Sequence, residues 1–200
     1  MNIKNIIFDF GGVLVDWNPR YLYKTVFNDA AQMEYFLTHI CTEEWNLQQD
    51  KDRTLEEGTL LLQKQFPDYA DLINLFYDQW EVMLNGEITE NVKLLPQLKQ
   101  HYPLFGLTNW SAETFPIALN RFSFFKIFDG IVVSGEEKMI KPDKDIFHLL
   151  LNRYQIKASE SLFIDDNINN IIAANEMGFH TIHIKPTIIL EEELKKMGVL

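Results

Sequence analysis

Five short runs of this chain, at 3–8, 102–107, 130–133, 161–164 and 181–184, are near-continuously apolar and too short to be anything but strands. Strands without a polar face must be covered on both sides. That is the condition of a parallel sheet, whose crossover connections lay helices over both faces. The sequence between the later runs supplies those helices. Phe115, Ala118, Leu119 and Phe122 mark one apolar face, a second helix spans about 143–154, and Ile168, Ile171 and Ile172 begin a third that stops near Gly178. A terminal helix follows at 188–197. Strand–helix alternation of this kind predicts an α/β fold with a doubly wound parallel sheet.

The stretch between the first and second strands breaks the alternation. Met33, Phe36, Leu37 and Ile40 recur at i, i+3, i+4 and i+7, as Leu72, Ile73, Phe76, Trp80 and Leu84 do approximately. No strand is expected inside this block, and Asn85-Gly86 reads as the turn that closes it. The organisation predicted is a Rossmann-like core at 1–16 and 88–200, with a helical cap at 17–87 inserted after the first strand.

Two hundred residues can bury a sizeable core, and a net charge of −11 without a Lys/Arg-dense run argues against a nucleic-acid partner. No apolar run approaches the roughly 18 residues of a membrane span. The single cysteine, Cys41, excludes an intramolecular disulfide and reads as a buried structural thiol in a reducing cytoplasm.

In open α/β sheets the ligand crevice lies beyond the carboxyl ends of the strands. The polar residues just past the predicted strands are Asp9, then Thr108 and Asn109, then Ser134 with Lys141 further on, then Asp165 and Asp166. Carboxylates, a hydroxyl, an amide and a lysine at one sheet edge suit a divalent metal and a phosphoryl group. Asp9 would act as a carboxylate nucleophile that divides one difficult displacement into two. Thr108 and the Asn109 amide would hold phosphate oxygens, aided by the dipole of a helix starting near Ser111. Lys141 would clamp charge building on the phosphoryl group, directed by Pro142 at position N1 of the next helix. Asp165 and Asp166 call for a cation, and hard oxygen ligands favour Mg²⁺.

The order IIFDFGGVL, LTN, KPD and FIDDNINN resembles the haloacid dehalogenase superfamily, over the whole chain and with the helical insert in the place of that family's cap. Most members are magnesium-dependent phosphatases, and the nearest look-alikes are small helical-cap phosphatases resembling glucose-1-phosphate phosphatase. The resemblance implies a small-molecule phosphorylated substrate, a sugar phosphate first, and an aspartyl-phosphate on Asp9. It implies metal ligation by Asp9, the Gly11 carbonyl and Asp166, with Asp165 in the first shell or acting through water. Gly12 is read as a close-approach position for the phosphate, and Asn170 stands where many relatives keep another acid.

The departure from the family pattern is Gly11, where many of these phosphatases place an acid/base Asp. Such help is typically worth about 10²–10⁴-fold. Its loss leaves three outcomes: a good leaving group, a substitute such as Asp16 or a cap residue, or phosphate binding with little turnover. A 2-haloacid dehalogenase is the enzyme alternative, since those relatives also lack this acid but need no metal. In the cap, Arg20, Trp45, Asp50 and Arg53 are available to read a substrate, although surface pairing is the simpler expectation for each. Asp16 could serve the site or cap the next helix. None of the five histidines shows ligand spacing, and His183 is expected to pack within a strand.

Overall fold

The computed structural model describes residues 2–200. Strands β1 (Asn5–Phe8) and β2 (Val15–Trp17) precede helices α1 (Arg20–Tyr23), α2 (Ala30–His39), α3 (Glu43–Lys51), α4 (Leu55–Gln65) and α5 (Ala70–Asp78). Then come β3 (Leu84–Glu87), α6 (Thr89–Val92), α7 (Leu95–Lys99), β4 (Leu104–Thr108), α8 (Phe115–Arg121), β5 (Gly130–Val133) and α9 (Ser134–Glu137). The chain finishes with α10 (Lys144–Tyr154), β6 (Ser161–Asp165), α11 (Ile168–Glu176), β7 (His180–His183) and α12 (Leu190–Lys196).

The main sheet has the order β5-β4-β1-β6-β7, and every pairing in it is parallel. Alternate residues of the strands enter different cores, as a period of two requires. Ile6, Phe8, Leu104, Leu162 and Ile164 pack on one side, with α7, α8 and α12. Ile7, Phe105, Leu107, Val132 and Phe163 pack on the other, with α10 and α11. The doubly wound arrangement follows from strands, above all β1, β4 and β6, whose central positions are apolar on both faces.

The helical segment is held by its own caps. Asp29, Thr42 and Thr54 accept backbone N–H bonds at the starts of α2, α3 and α4. Its core is aromatic, with Phe76 edge-on to Trp45 and Trp17. Strands bracket this segment, contrary to expectation: β2 and β3 form an antiparallel ribbon at its base, with Asp16 opposite Gly86. Asn85-Gly86 is therefore part of a strand rather than a closing turn. The helix read through Leu84 stops at Asp78 and gives way to a 3₁₀ turn over Trp80–Met83.

Two local expectations near the sheet edge are also corrected. The segment after β4 stays in a turn until α8 begins at Phe115, so no helix starts near Ser111. Pro142 lies before Asp143, the cap residue of α10, and is not at N1. Leu119, Ile168 and Ile172, assigned to helix faces by spacing, are exposed.

Candidate active site

Strands β1, β4 and β6 are neighbours in the sheet and end in line, which brings Asp9, Thr108 and Asp165 to one edge. Lys141 reaches them from the loop before α10. Its side chain is fully buried, with Nζ 3.0 Å from Asp9 Oδ1 and 2.7 Å from Asp165 Oδ2, and it donates to the Leu107 carbonyl at 2.8 Å. All three ammonium protons therefore have acceptors. A buried lysine survives only under such conditions. Burial works against its charge, but Asp165 and Asp9 outweigh that and hold its pKa above the usual lysine value.

The carboxylates are in the opposite position. Oxygens of Asp9, Asp165 and Asp166 lie within 4.8 Å of one another, so three acids share one ammonium. Burial pushes the Asp9 carboxyl up to about 7, with Lys141 pulling down and the charges of Asp165 and Asp166 pushing up further. Asp166 is raised by desolvation and then by Asp165. Asp9 is held in place by the Phe10 N–H, which donates to Oδ1 at 2.7 Å.

Asp165 is fully buried and tied down on both oxygens. Besides Lys141 it accepts from the Asn167 N–H at 2.7 Å and from Asn170 Nδ2 at 3.1 and 3.0 Å. Asn170, at the position where many relatives keep another acid, thus helps to orient Asp165 and keeps its own Oδ1 buried without a partner. Asp166 points into the cleft, and its carbonyl lies 2.9 Å from His183 Nε2, a contact the sequence reading missed.

Asn109 is committed in a way the sequence did not reveal. Its Nδ2 donates to the Lys141 carbonyl at 2.9 Å and its Oδ1 accepts from the Lys141 N–H at 2.8 Å. This two-way clamp fixes the lysine's backbone and engages the side-chain amide. Thr108 Oγ1, by contrast, is buried without a partner. An orphaned hydroxyl in a closed site costs stability unless a ligand meets it.

The two glycines after Asp9 differ. Gly12 has φ +68°, and a Cβ there would lie 2.2 Å from Asp166 Oδ2, so both its backbone and the approach of that carboxylate require glycine. At Gly11 a Cβ would meet nothing within 4 Å. The absence of an acid at that position is not forced by space.

Ser134 and Asp16 do not join the cluster. Ser134 Oγ accepts from the Trp110 N–H at 2.8 Å and donates to the Asp50 carbonyl, linking the sheet side to α3. Asp16 accepts from Tyr21 Oη at 2.7 Å and Asn85 Nδ2 at 2.8 Å, so it caps no helix. Arg20 pairs with Glu34, as expected of a surface arginine. Trp45 and Asp50 on α3 and Arg53 just past its end do not make surface pairs and belong to a partly buried network. Cys41 is buried and its thiol is pushed up by desolvation, in keeping with a structural role.

A cleft of about 890 Å³ lies between the sheet edge and the helical segment. Asp9, Gly12, Lys141 and Asp166 form its floor, and Trp17, Leu37, Asp50 and Trp80 are among the residues above.

A doubly wound α/β sheet with an acid–lysine–acid cluster at its carboxyl edge, roofed by a helical insert, defines a class of hydrolases. The chain belongs to the haloacid dehalogenase-like hydrolase family, whose model matches residues 6–184. It is 27% identical to the sesquiterpene phosphatase astK of Aspergillus oryzae over 97% of this chain and 96% of that protein. It is 26% identical to the D-ribitol-5-phosphate phosphatase of Bacteroides thetaiotaomicron over 90% of each. It shares its fold with an HAD family enzyme from Bacteroides thetaiotaomicron solved with magnesium and inorganic phosphate, at a TM-score of 0.71 and 23% identity, covering 96% of this chain and 98% of that one. Among the described residues no helix is long and apolar enough to cross a membrane.

Proposed function

We propose that this protein is a Mg²⁺-dependent phosphatase that hydrolyses a small phosphomonoester through an aspartyl-phosphate on Asp9. The observation that carries the reading is the charge imbalance at the strand ends, where three carboxylates face one lysine. Hard oxygen donors with surplus negative charge suit a magnesium ion, which would neutralise charge on the phosphoryl group when bound. Asp9, Asp166 and the Gly11 carbonyl would hold it, with Asp165 acting through water because its oxygens are already engaged.

Asp9 attacks phosphorus and the ester P–O bond breaks, the alcohol leaving with a proton drawn from water because position 11 carries no acid, while Lys141 stabilises the charge that gathers on the phosphoryl oxygens. The unpartnered Thr108 hydroxyl donates to one of those oxygens, assisted by the Asn109 backbone amide. Water then cleaves the aspartyl-phosphate and frees Asp9. The helical segment at 17–87 serves as a cap that shields the intermediate and contacts the alcohol. The D-ribitol-5-phosphate phosphatase supports a polyol or sugar phosphate as substrate, and the sesquiterpene phosphatase supports a phosphate ester of an apolar alcohol.

The test is phosphate release from p-nitrophenyl phosphate. Release that needs Mg²⁺ and disappears in Asp9→Asn supports the reading. Halide release from a 2-haloacid in the presence of chelator would replace it with the dehalogenase reading. Tight Mg²⁺-dependent binding of a phosphate mimic without turnover would leave a phosphate-binding protein.

A further inference from the structure

The three acids of the floor are not held equally. Asp9 accepts from the Phe10 N–H and pairs with Lys141, and both oxygens of Asp165 are bonded. Asp166 is the exposed member of the group. Among the described residues no neighbouring side chain is bonded to its carboxylate, which meets only its own backbone N–H. The place of this acid therefore depends on its backbone.

That backbone is leaving the sheet. Strand β6 ends at Asp165, whose carbonyl still accepts the Ile184 N–H at 2.9 Å, and α11 begins only at Ile168. The Asp166 carbonyl falls between the ladder and the helix, and His183 Nε2 meets it at 2.9 Å. A carbonyl oxygen can only accept, so the ring nitrogen carries the proton of this bond. Strand alternation delivers the imidazole. Ile182 and Ile184 enter one core, so Thr181 and His183 project from the opposite face. Thr181 Oγ1 donates to Asn175 Oδ1 on α11 at 3.1 Å, and His183 stands level with Asp165 in the register. A side chain at the end of an edge strand thus takes the place of the next ladder bond.

Asp166 is constrained from its other side as well. Gly12 lies so close beneath the carboxylate that a Cβ there would stand 2.2 Å from Oδ2. A backbone held by His183 and a carboxylate seated against Gly12 leave the acid little freedom to move. Magnesium tolerates little departure from octahedral geometry at about 2.0–2.1 Å, so a small displacement of one carboxylate weakens its binding. Groups that orient a ligand from behind typically contribute about 10- to 100-fold in metal affinity.

We propose that His183 is a positioning residue for the metal site. Its bond to the Asp166 carbonyl fixes the backbone from which that carboxylate reaches the cleft, and so sets the affinity of the floor for Mg²⁺. This role rests on the magnesium site of the phosphatase reading and adds to it a residue from outside the acidic cluster.

The test is titration calorimetry of Mg²⁺ into the full chain. His183→Phe keeps a planar ring and removes the donor, whereas His183→Gln keeps an N–H near the place of Nε2. Thr181→Val is the control, since it breaks the other polar contact on the same strand face without touching the acids. Expected is a dissociation constant raised about 10-fold in His183→Phe, the low end for a group that orients a ligand. It should return to the parental value in His183→Gln and stay there in Thr181→Val. The Mg²⁺ concentration for half-maximal release from p-nitrophenyl phosphate should rise by the same factor in His183→Phe, while kcat at saturating Mg²⁺ matches the parent. His183→Ala, which adds no bulk at the sheet edge, takes the place of His183→Phe if that variant loses its cooperative melting transition. Parental Mg²⁺ affinity without the donor overturns the proposal. So does a loss that His183→Gln fails to restore, or one that Thr181→Val reproduces, because either assigns His183 to strand packing. A parent that binds Mg²⁺ but releases no phosphate removes the phosphatase reading, and the calorimetry still decides the role of His183. A parent that binds no Mg²⁺ overturns both.

Discussion

A buried carboxyl group, Asp9, and a half-buried one, Asp50, face one cleft from opposite sides, and both are pushed up to about 7. Asp9 sits among other acids with a lysine 3.0 Å away, while Asp50 has the Asn46 carboxamide at 3.0 Å, the Ser111 backbone amide and no ammonium. At the floor, burial is opposed by an ammonium and reinforced by like charges, so the group is made for a cation and an electrophile. At the roof no ammonium opposes burial; the Ser111 backbone amide pulls the carboxyl down and Glu43 pushes it up. Similar displacements thus arise from different surroundings.

The sharpest way to break this contrast is to remove the charge at each acid. Asp9→Asn should lower Mg²⁺-dependent phosphate release by at least about 10³-fold, because it removes the group that forms the covalent intermediate. If Asp9→Asn retains parental rates, the floor is not a covalent site. Lys141→Met should be the most damaging change to the fold. It strands Asp165 and Asp9 without their cation, and breaking a buried pair of this kind costs about 3–5 kcal/mol, measurable by urea denaturation.

Gly12→Ala tests the floor's need for a cation more gently. The new methyl group would displace the Asp166 carboxylate, and Mg²⁺ affinity should weaken by about 10- to 100-fold, as for other changes that misplace a metal's ligands. Titration calorimetry would read this directly. Gly11→Asp tests whether the floor lacks only its acid. With open space at that Cβ, turnover of phosphates with poor leaving groups should rise by about tenfold, the low end of acid–base assistance.

The smallest expected effect concerns the roof and carries a sign. Asp50 has a folded-state pKa of about 7 against an ordinary value of 3.8, so ionising it disfavours the folded state. That penalty is absent below pH 4, grows as pH rises toward 7 and is complete above it. Asp50→Asn should therefore melt at the parent's temperature at pH 4 and higher than the parent at pH 8. A Tm difference that stays flat across this range would show that Asp50 is not held in a desolvated state.

The floor was far more legible in the sequence than the roof. Asp9, Thr108 and Asp165 stand at the ends of short apolar runs, and parallel pairing forces such ends into line. Lys141 was visible through the family pattern, but the clamp on its backbone by Asn109 spans 32 residues and leaves no local trace. The β2–β3 ribbon was missed because its strands are only three and four residues long and one contains Asn85-Gly86, a pair that ordinarily turns. In the roof, Asn46 and Asp50 share a helix face by their spacing of four, which a sequence can show. Tyr77, which completes that network 31 residues from Asn46, arrives only through the packing of α5 on α3.

The open space at Gly11 bears on how this chain could diversify. Glycine codons lie one base from those of aspartate or glutamate, and a Cβ at this position would meet nothing within 4 Å. A proton donor over the leaving group is therefore a single mutational step away, with no compensating change required in the core. Such a variant could take up less reactive esters while keeping the same roof and the same preference for the alcohol. The floor of the cleft thus keeps room for a side chain that the present sequence does not place there.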